Sequence, residues 1–209
     1  LNPLISPIQR LCLLNSPTIH RLLRNSAVML LTVAACAAAE RRAGPAVQSG
    51  VDHSGPSQSV FTENMVQVHT PEGAFFIDRF ELSELGPGDF FPARNQAPKT
   101  RLTRDQARRI CQSQAKRLCS VFEWKNACLG TQRFRFGYGN AAVAGRCNVK
   151  FDDLVPAGQK GECASDAGAY DLIGNAMEWV EGEGPATAMG GSFLSGDSAD
   201  CFTSQFFSP

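Results

Sequence analysis

The stretch Gly168 to Val180, G-A-Y-D-L-I-G-N-A-M-E-W-V, decides how the rest of this chain is read. Asp171 and Glu178 stand on either side of a Gly174-Asn175 pair, with Tyr170, Met177 and Trp179 interleaved. Glycine and asparagine tolerate positive φ, so the pair predicts a tight turn. Folding back at that turn brings the two carboxylates together, with the intervening backbone carbonyls facing the same space. Converging carboxylate and carbonyl oxygens suit a hard cation such as calcium. The same pattern also fits a plain hairpin with solvated acids on its outer face.

The bulk properties narrow the field around that stretch. The 209 residues suffice for one domain plus a leader. Twenty basic residues balance twenty acidic ones, and no basic run is interleaved with aromatics. Nucleic-acid binding is therefore set aside. Hydrophobic content of 43% is ordinary for a globular core, and no apolar run reaches the ~18 residues of a membrane span. Eight cysteines point to an oxidising compartment, because cytosolic thiols stay reduced.

The first 36 residues read as a leader. Leu1 stands where a methionine is usual, which reads as a fragment or an unusual start. His20, Arg21 and Arg24 supply a basic region, and residues 27–35 an apolar one. V-A-A-C at 33–36 resembles a bacterial lipobox, so Cys36 is the expected lipidation site. A signal cleaved nearby, or a chance apolar run, explains the same residues. Lipidation by two or three acyl chains, at about 0.8 kcal/mol per buried CH₂, anchors a protein stably. Residues 37–60 are rich in Ala, Gly, Ser, Pro and Gln and read as a flexible tether. The folded domain is expected over 61–209.

Within that domain Met65, Val66 and Val68 predict a first strand, and Phe75 to Leu82 a second. The Gly- and Pro-rich segment from Ser83 to Lys99 reads as a loop. Thr103 opens a helix through a capping box with Gln106, with Ala107, Ile110, Cys111 and Ala115 at helical spacing. Ser120 opens a second through Glu123, with Trp124, Ala127 and Cys128 as its apolar stripe and Gly130 at its end. Glu123 is thus a cap rather than a catalytic acid. From Gly130 to Ala169 the chain is loop-rich, and a loop of that length needs pinning. A disulfide between Cys147 and Cys163 would enclose part of it and contribute about 3 kcal/mol.

Five ordered motifs now carry a resemblance. M-V-Q-V (65–68), F-F-I-D-R-F-E-L-S (75–83), K-R-L-C-S-V-F-E-W-K-N-A-C (116–128), C-N-V (147–149) and G-G-S-F (190–193) accompany the opening stretch. Together, from about Asn64 onward, they resemble the formylglycine-generating enzyme, or sulfatase-modifying factor, family. The resemblance implies an α+β fold of the C-type-lectin-like kind, loop-rich, with few short strands and two main helices. It implies one calcium site on Asn148 and the Val149 carbonyl, with Asp152, Asp153 and Asp166 as further candidates. It implies a second on Asp171 and Glu178 with the Gly174 and Ala176 carbonyls. It also implies a last strand ending in a Gly-Phe-Arg-Cys-like segment, which the residues up to Pro209 lack; on that reading the chain is truncated and Cys201 is left without a partner.

The oxidases of that family bind copper through two cysteines and oxidise a substrate cysteine to formylglycine with molecular oxygen. Soft thiolates select Cu(I), so both sulfurs must be present. The first follows the Gly-Gly-Ser-aromatic motif and the second comes five residues later. Here Ser195 occupies the first place, Asp200 the second, and Cys201 stands one place late. Met189 replaces the usual arginine before Gly190. Cys201 is the one catalytic candidate, although a disulfide half is the more natural role. A sulfoxide-synthase branch needs histidine ligands to iron, and His20, His53 and His69 have no ligand spacing. No Ser-His or Cys-His nucleophile system falls inside the domain. Two readings follow. The first is a bacterial envelope lipoprotein with a non-catalytic domain that binds a protein, peptide or glycan. The second is a copper-dependent oxidoreductase of the same family acting on a cysteine or another envelope substrate.

Overall fold

The computed structural model describes residues 12–14, 64–182 and 184–207. Cys36 and the tether over 37–60 lie outside them. The main body begins with a hairpin, β2 (Met65–Thr70) and β3 (Gly73–Asp78), preceded by the short strand β1 (Cys12–Leu14). Val66, Val68 and Ile77 are buried, so the alternating apolar residues of this hairpin face the core. The expected single strand from Phe75 to Leu82 is broken after Asp78. Beyond the break Glu81 is fully buried, and Leu82 starts a second hairpin, β4 (Leu82–Gly86) with β5 (Asp89–Pro92). That hairpin occupies much of the segment read as a loop. Its turn is Gly86-Pro87-Gly88, with Gly88 at φ of +77°, so the residues that suggest a loop serve here to reverse a strand.

Helix α1 (Arg104–Ser113) is capped by Thr103, whose side chain accepts from the Gln106 amide while the Gln106 side chain caps in return. Ala107 and Cys111 are buried, whereas Ala115 is exposed with φ of +55°, beyond the helix end. Strand β6 (Lys116–Leu118) follows and leads into α2 (Val121–Leu129), capped by Ser120 and Glu123 in the same reciprocal way. The second helix stops at Gly130 for a steric reason. A Cβ there, at φ of +61°, would sit 1.3 Å from Asp166 Oδ1.

A three-stranded antiparallel sheet closes the domain in the order β7 (Glu178–Val180), β8 (Ala186–Met189), β9 (Ser204–Phe207). Two buried clusters lie between these parts. One gathers Ile77, Trp124, Leu172, Val180 and Met189, and the other Leu118, Met177, Trp179 and Ala188. Two disulfides join distant segments of this frame, Cys128 to Cys201 and Cys147 to Cys163. Cys111 is disulfide-bonded as well. Cys201, expected to lack a partner, therefore has one on α2. No helix among the described residues is long and apolar enough to cross a membrane.

Candidate functional site

The segment 168–180 is not a hairpin. Tyr170 bridges to Ala164, and Glu178 pairs with Met189 in the sheet, so the two arms part company at the turn. The turn itself is dictated by backbone proximity. A Cβ on Gly174, where φ is +78°, would lie 2.4 Å from the Asn148 carbonyl oxygen. Asn175 follows with φ of +51°, a conformation asparagine tolerates better than most residues.

Asn175 proves to be more than a turn residue. It is fully buried, and its amide donates to Asn148 O at 2.7 Å. Its Nδ2 donates to Glu81 Oε2 (2.6 Å) and Val155 O (3.0 Å). Its Oδ1 accepts from Asn148 Nδ2 (2.7 Å) and the Val155 amide (3.0 Å). Both donors and both acceptor sites of the carboxamide are thus used. Glu81, Asn148 and Val155 thus meet on one side chain, and a further segment joins through Phe193 N to Asn175 O at 2.9 Å. The sequence signals Asn175 only as a turn former. Nothing short-range marks Glu81, 94 residues away, as its partner.

The two acids that frame the opening stretch are both buried, at 1% exposure for Asp171 and 0% for Glu178. They are not solvated acids on an outer face. Asp171 Oδ2 accepts from the Gly158 amide at 2.6 Å, and Glu178 Oε2 accepts from the Trp124 indole at 2.5 Å. One carboxylate therefore holds the 145–163 loop and the other holds α2. Around Asn148, the side-chain Oδ1 is buried and accepts no hydrogen bond, while Nδ2 also donates to Asp153 O at 3.1 Å. Val149 O accepts from Gly196 N at 2.7 Å. The further ligand candidates are exposed or engaged in other hydrogen bonds. Asp152 and Asp153 are exposed, and Asp153 Oδ1 accepts from Leu154 N. Asp166 accepts from the amides of Thr131 and Gln132 and from the Thr131 hydroxyl, where it caps the chain leaving α2. Among the described residues no three His, Cys, Asp or Glu side chains converge as metal ligands.

Buried charge outside this network is paired. Lys116 Nζ meets Asp78 Oδ1 at 2.7 Å, tying β6 to β3, a contact the sequence pattern does not announce. Glu123 feels opposing influences: burial raises its pKa, but hydrogen bonds from Arg117 and Ser120 bring it below the usual carboxylate value. Its role is the helix cap.

The turn after Gly190-Gly191, which the resemblance sets against the oxidases' cysteine pair, is held by its own hydrogen bonds. Ser195 Oγ accepts from the Ser192 amide at 2.8 Å, and Ser195 N donates back to Ser192 O at 3.0 Å. Asp200 Oδ2 accepts from Arg135 Nε (2.7 Å) and Oδ1 accepts from Phe202 N (2.9 Å). Cys201, the catalytic candidate, is oxidised to a disulfide with Cys128 and offers no thiolate. Cys119 is the free cysteine among the described residues. It is fully buried, and burial, with the nearby Glu123 charge, pushes its thiol well above its ordinary value. A buried neutral thiol is a poor metal ligand.

Two helices, short antiparallel strands and a buried acid–amide frame define a mixed α+β domain, loop-rich and oxygen-lined. The profile of the sulfatase-modifying factor enzyme 1-like domain matches residues 62–202, and the chain belongs to this family. It is similar to a cattle (Bos taurus) protein named inactive C-alpha-formylglycine-generating enzyme 2. The two are 28% identical over 115 residues, which is 48% of this chain and 38% of the relative. The chain thus spans well under half of the relative that it matches.

Proposed function

We propose that this is a non-catalytic member of the family, a C-type-lectin-like domain whose surface binds a protein, peptide or glycan. One observation carries the reading. At the turn where the family's oxidases place two copper thiolates, a hydroxyl (Ser195) is engaged with its own turn and the nearby sulfur (Cys201) is locked to α2. A hydroxyl does not replace a thiolate toward Cu(I). The name of the cattle relative, inactive, agrees in direction. Beside the same turn Phe151 and Leu194 are 40% and 46% exposed, and Phe151 N donates to Phe193 O. Lys160 Nζ lies 4.1 Å from the centre of the Phe151 ring, so the surface beside the turn is both apolar and cationic.

The test is direct. The purified full chain, supplied with Cu(I), oxygen and a cysteine-containing peptide, is expected to form no aldehyde product by mass spectrometry and to bind no stoichiometric copper. Aldehyde formation would establish the competing reading, a copper-dependent oxidoreductase, and copper binding lost in Cys201→Ser would locate its centre.

We further infer that calcium stabilises the domain at Asn148. The support is the buried Asn148 Oδ1 without a hydrogen bond, beside the Val149 carbonyl. Asp171 and Glu178, with the Gly174 and Ala176 carbonyls, remain the second set, although each carboxylate already anchors a neighbouring segment. A ligand that binds only the folded form raises its stability by RT ln(1 + [L]/Kd). Calcium at about a hundred times Kd is therefore expected to add about 2.7 kcal/mol, reversed by chelator and lost in Asn148→Ala. An unfolding midpoint indifferent to both calcium and chelator would refute it.

A further inference from the structure

Helix α2 ends without the amides that ordinarily close a last turn. In a continued α-helix the Cys128 carbonyl would accept from the Gln132 amide. Here Asp166 takes that amide at 2.9 Å and the Thr131 amide at 2.9 Å, so the Cys128 oxygen is a helix-terminal carbonyl in need of another donor. Next to Asp166, Ser165 is 7% exposed, and its buried hydroxyl has no hydrogen-bond partner. Both residues line one small pocket with Phe136, Gly137, Leu172 and Ile173. A Cβ on Gly137 would lie 3.0 Å from the Cys128 oxygen and 3.5 Å from Ser165 Cβ, so the glycine leaves the space between them open. A second acceptor, the Ile173 carbonyl, lies 3.5 Å from Cys163 Sγ, but that sulfur is bridged to Cys147 and has no proton to donate.

We propose that this pocket is the binding site of one internal water molecule. The water accepts from the Ser165 hydroxyl and donates to the Cys128 and Ile173 carbonyls. One donor and two acceptors are what a single water complements, with a lone pair for the first and two protons for the others. The space matches about one such molecule. The lining carries no charged side chain, which favours water over a hard cation. The consequence is positional. Asp166 already holds the chain leaving α2, and the water gives the 163–170 turn a second hold on the same helix end. That turn leads directly into Asp171 and Asn175, so the bridge helps to set the buried frame against α2. The proposal rests on hydrogen-bond accounting and stands apart from the non-catalytic reading.

The experiment joins a high-resolution crystal structure of the full chain to oxygen-17 magnetic relaxation dispersion on the parent and a Ser165→Ala variant. Density for one water at about 2.7–3.2 Å from Ser165 Oγ, Cys128 O and Ile173 O is expected. The variant keeps the fold and removes the only donor, so it is expected to hold one long-lived water fewer than the parent. A Ser165 hydroxyl bonded directly to a carbonyl, with no density between, would overturn the proposal. Equal numbers of long-lived waters in parent and variant would do the same. Density ringed by six or more oxygens at about 2.3–2.6 Å would also overturn it, because the site would then hold a cation.

Discussion

Two turns of this domain touch, yet they are held in different ways. The turn at Gly174-Asn175 and the turn from Gly190 to Ser195 are joined by Gly174 N donating to Gly190 O at 3.0 Å. A Cβ on Gly190 would come within 2.3 Å of Leu172 O, so neither turn admits a side chain at the crossing. The first turn holds a complete set of buried hydrogen bonds, with Asn175 satisfied at every position. The second holds Ser195, whose hydroxyl accepts from the Ser192 amide of its own turn, and just beyond it Asp200 pairs with Arg135 and Cys201 is bridged to Cys128. The difference teaches what each turn is for. A buried polar network is costly to break at any member, because every lost partner leaves an orphan behind. The Ser195 hydroxyl accepts one hydrogen bond within its own turn, so its loss leaves the frame's partners in place.

Substitution at the two turns should therefore give very unequal effects. The largest is expected for Asn175→Ala, which strips partners from Glu81, Asn148 and Val155 and places alanine at positive φ. A loss above about 4 kcal/mol in urea unfolding is expected, from several unsatisfied buried groups together. A loss near 1 kcal/mol would mean that the network is not the frame. Next comes removal of the two disulfides. Cys128→Ala/Cys201→Ala opens a loop of 73 residues, and Cys147→Ala/Cys163→Ala one of 16. Chain entropy predicts losses of about 4 and about 3 kcal/mol respectively. The reverse order would show that native contacts, not loop length, set the contribution. The smallest effect belongs to Ser195→Ala, which deletes one hydrogen bond within a turn. About 1 kcal/mol is expected, with copper uptake unchanged from the parent chain. A much larger loss would make the second turn part of the frame and erase the contrast.

How far the sequence reaches is clearest in the helices. Thr103 with Gln106, and Ser120 with Glu123, mark both N-termini, because a capping box is completed within four residues. The strands are less legible. Period-two alternation continues from Phe75 through Leu82, and nothing local shows that the chain bends after Asp78 to bury Glu81. Asp171 and Glu178 stand out in the sequence as unusual acids, but for a hairpin that does not form. Their hydrogen-bond partners, Gly158 and Trp124, lie 13 and 54 residues away. Asp166 matches a ligand pattern, yet it caps the chain after α2.

The sequence alone determined the helices, the family motifs and the absence of a second cysteine at the Ser195 turn, since each depends on residue identity at short range. Tertiary structure decided the rest. Which acids are buried, which cysteine Cys201 meets, and how Asn175 gathers Glu81, Asn148 and Val155 depend on segments remote in the chain. Burial raises the penalty for a missing partner, and only the folded chain shows which partner each group has found.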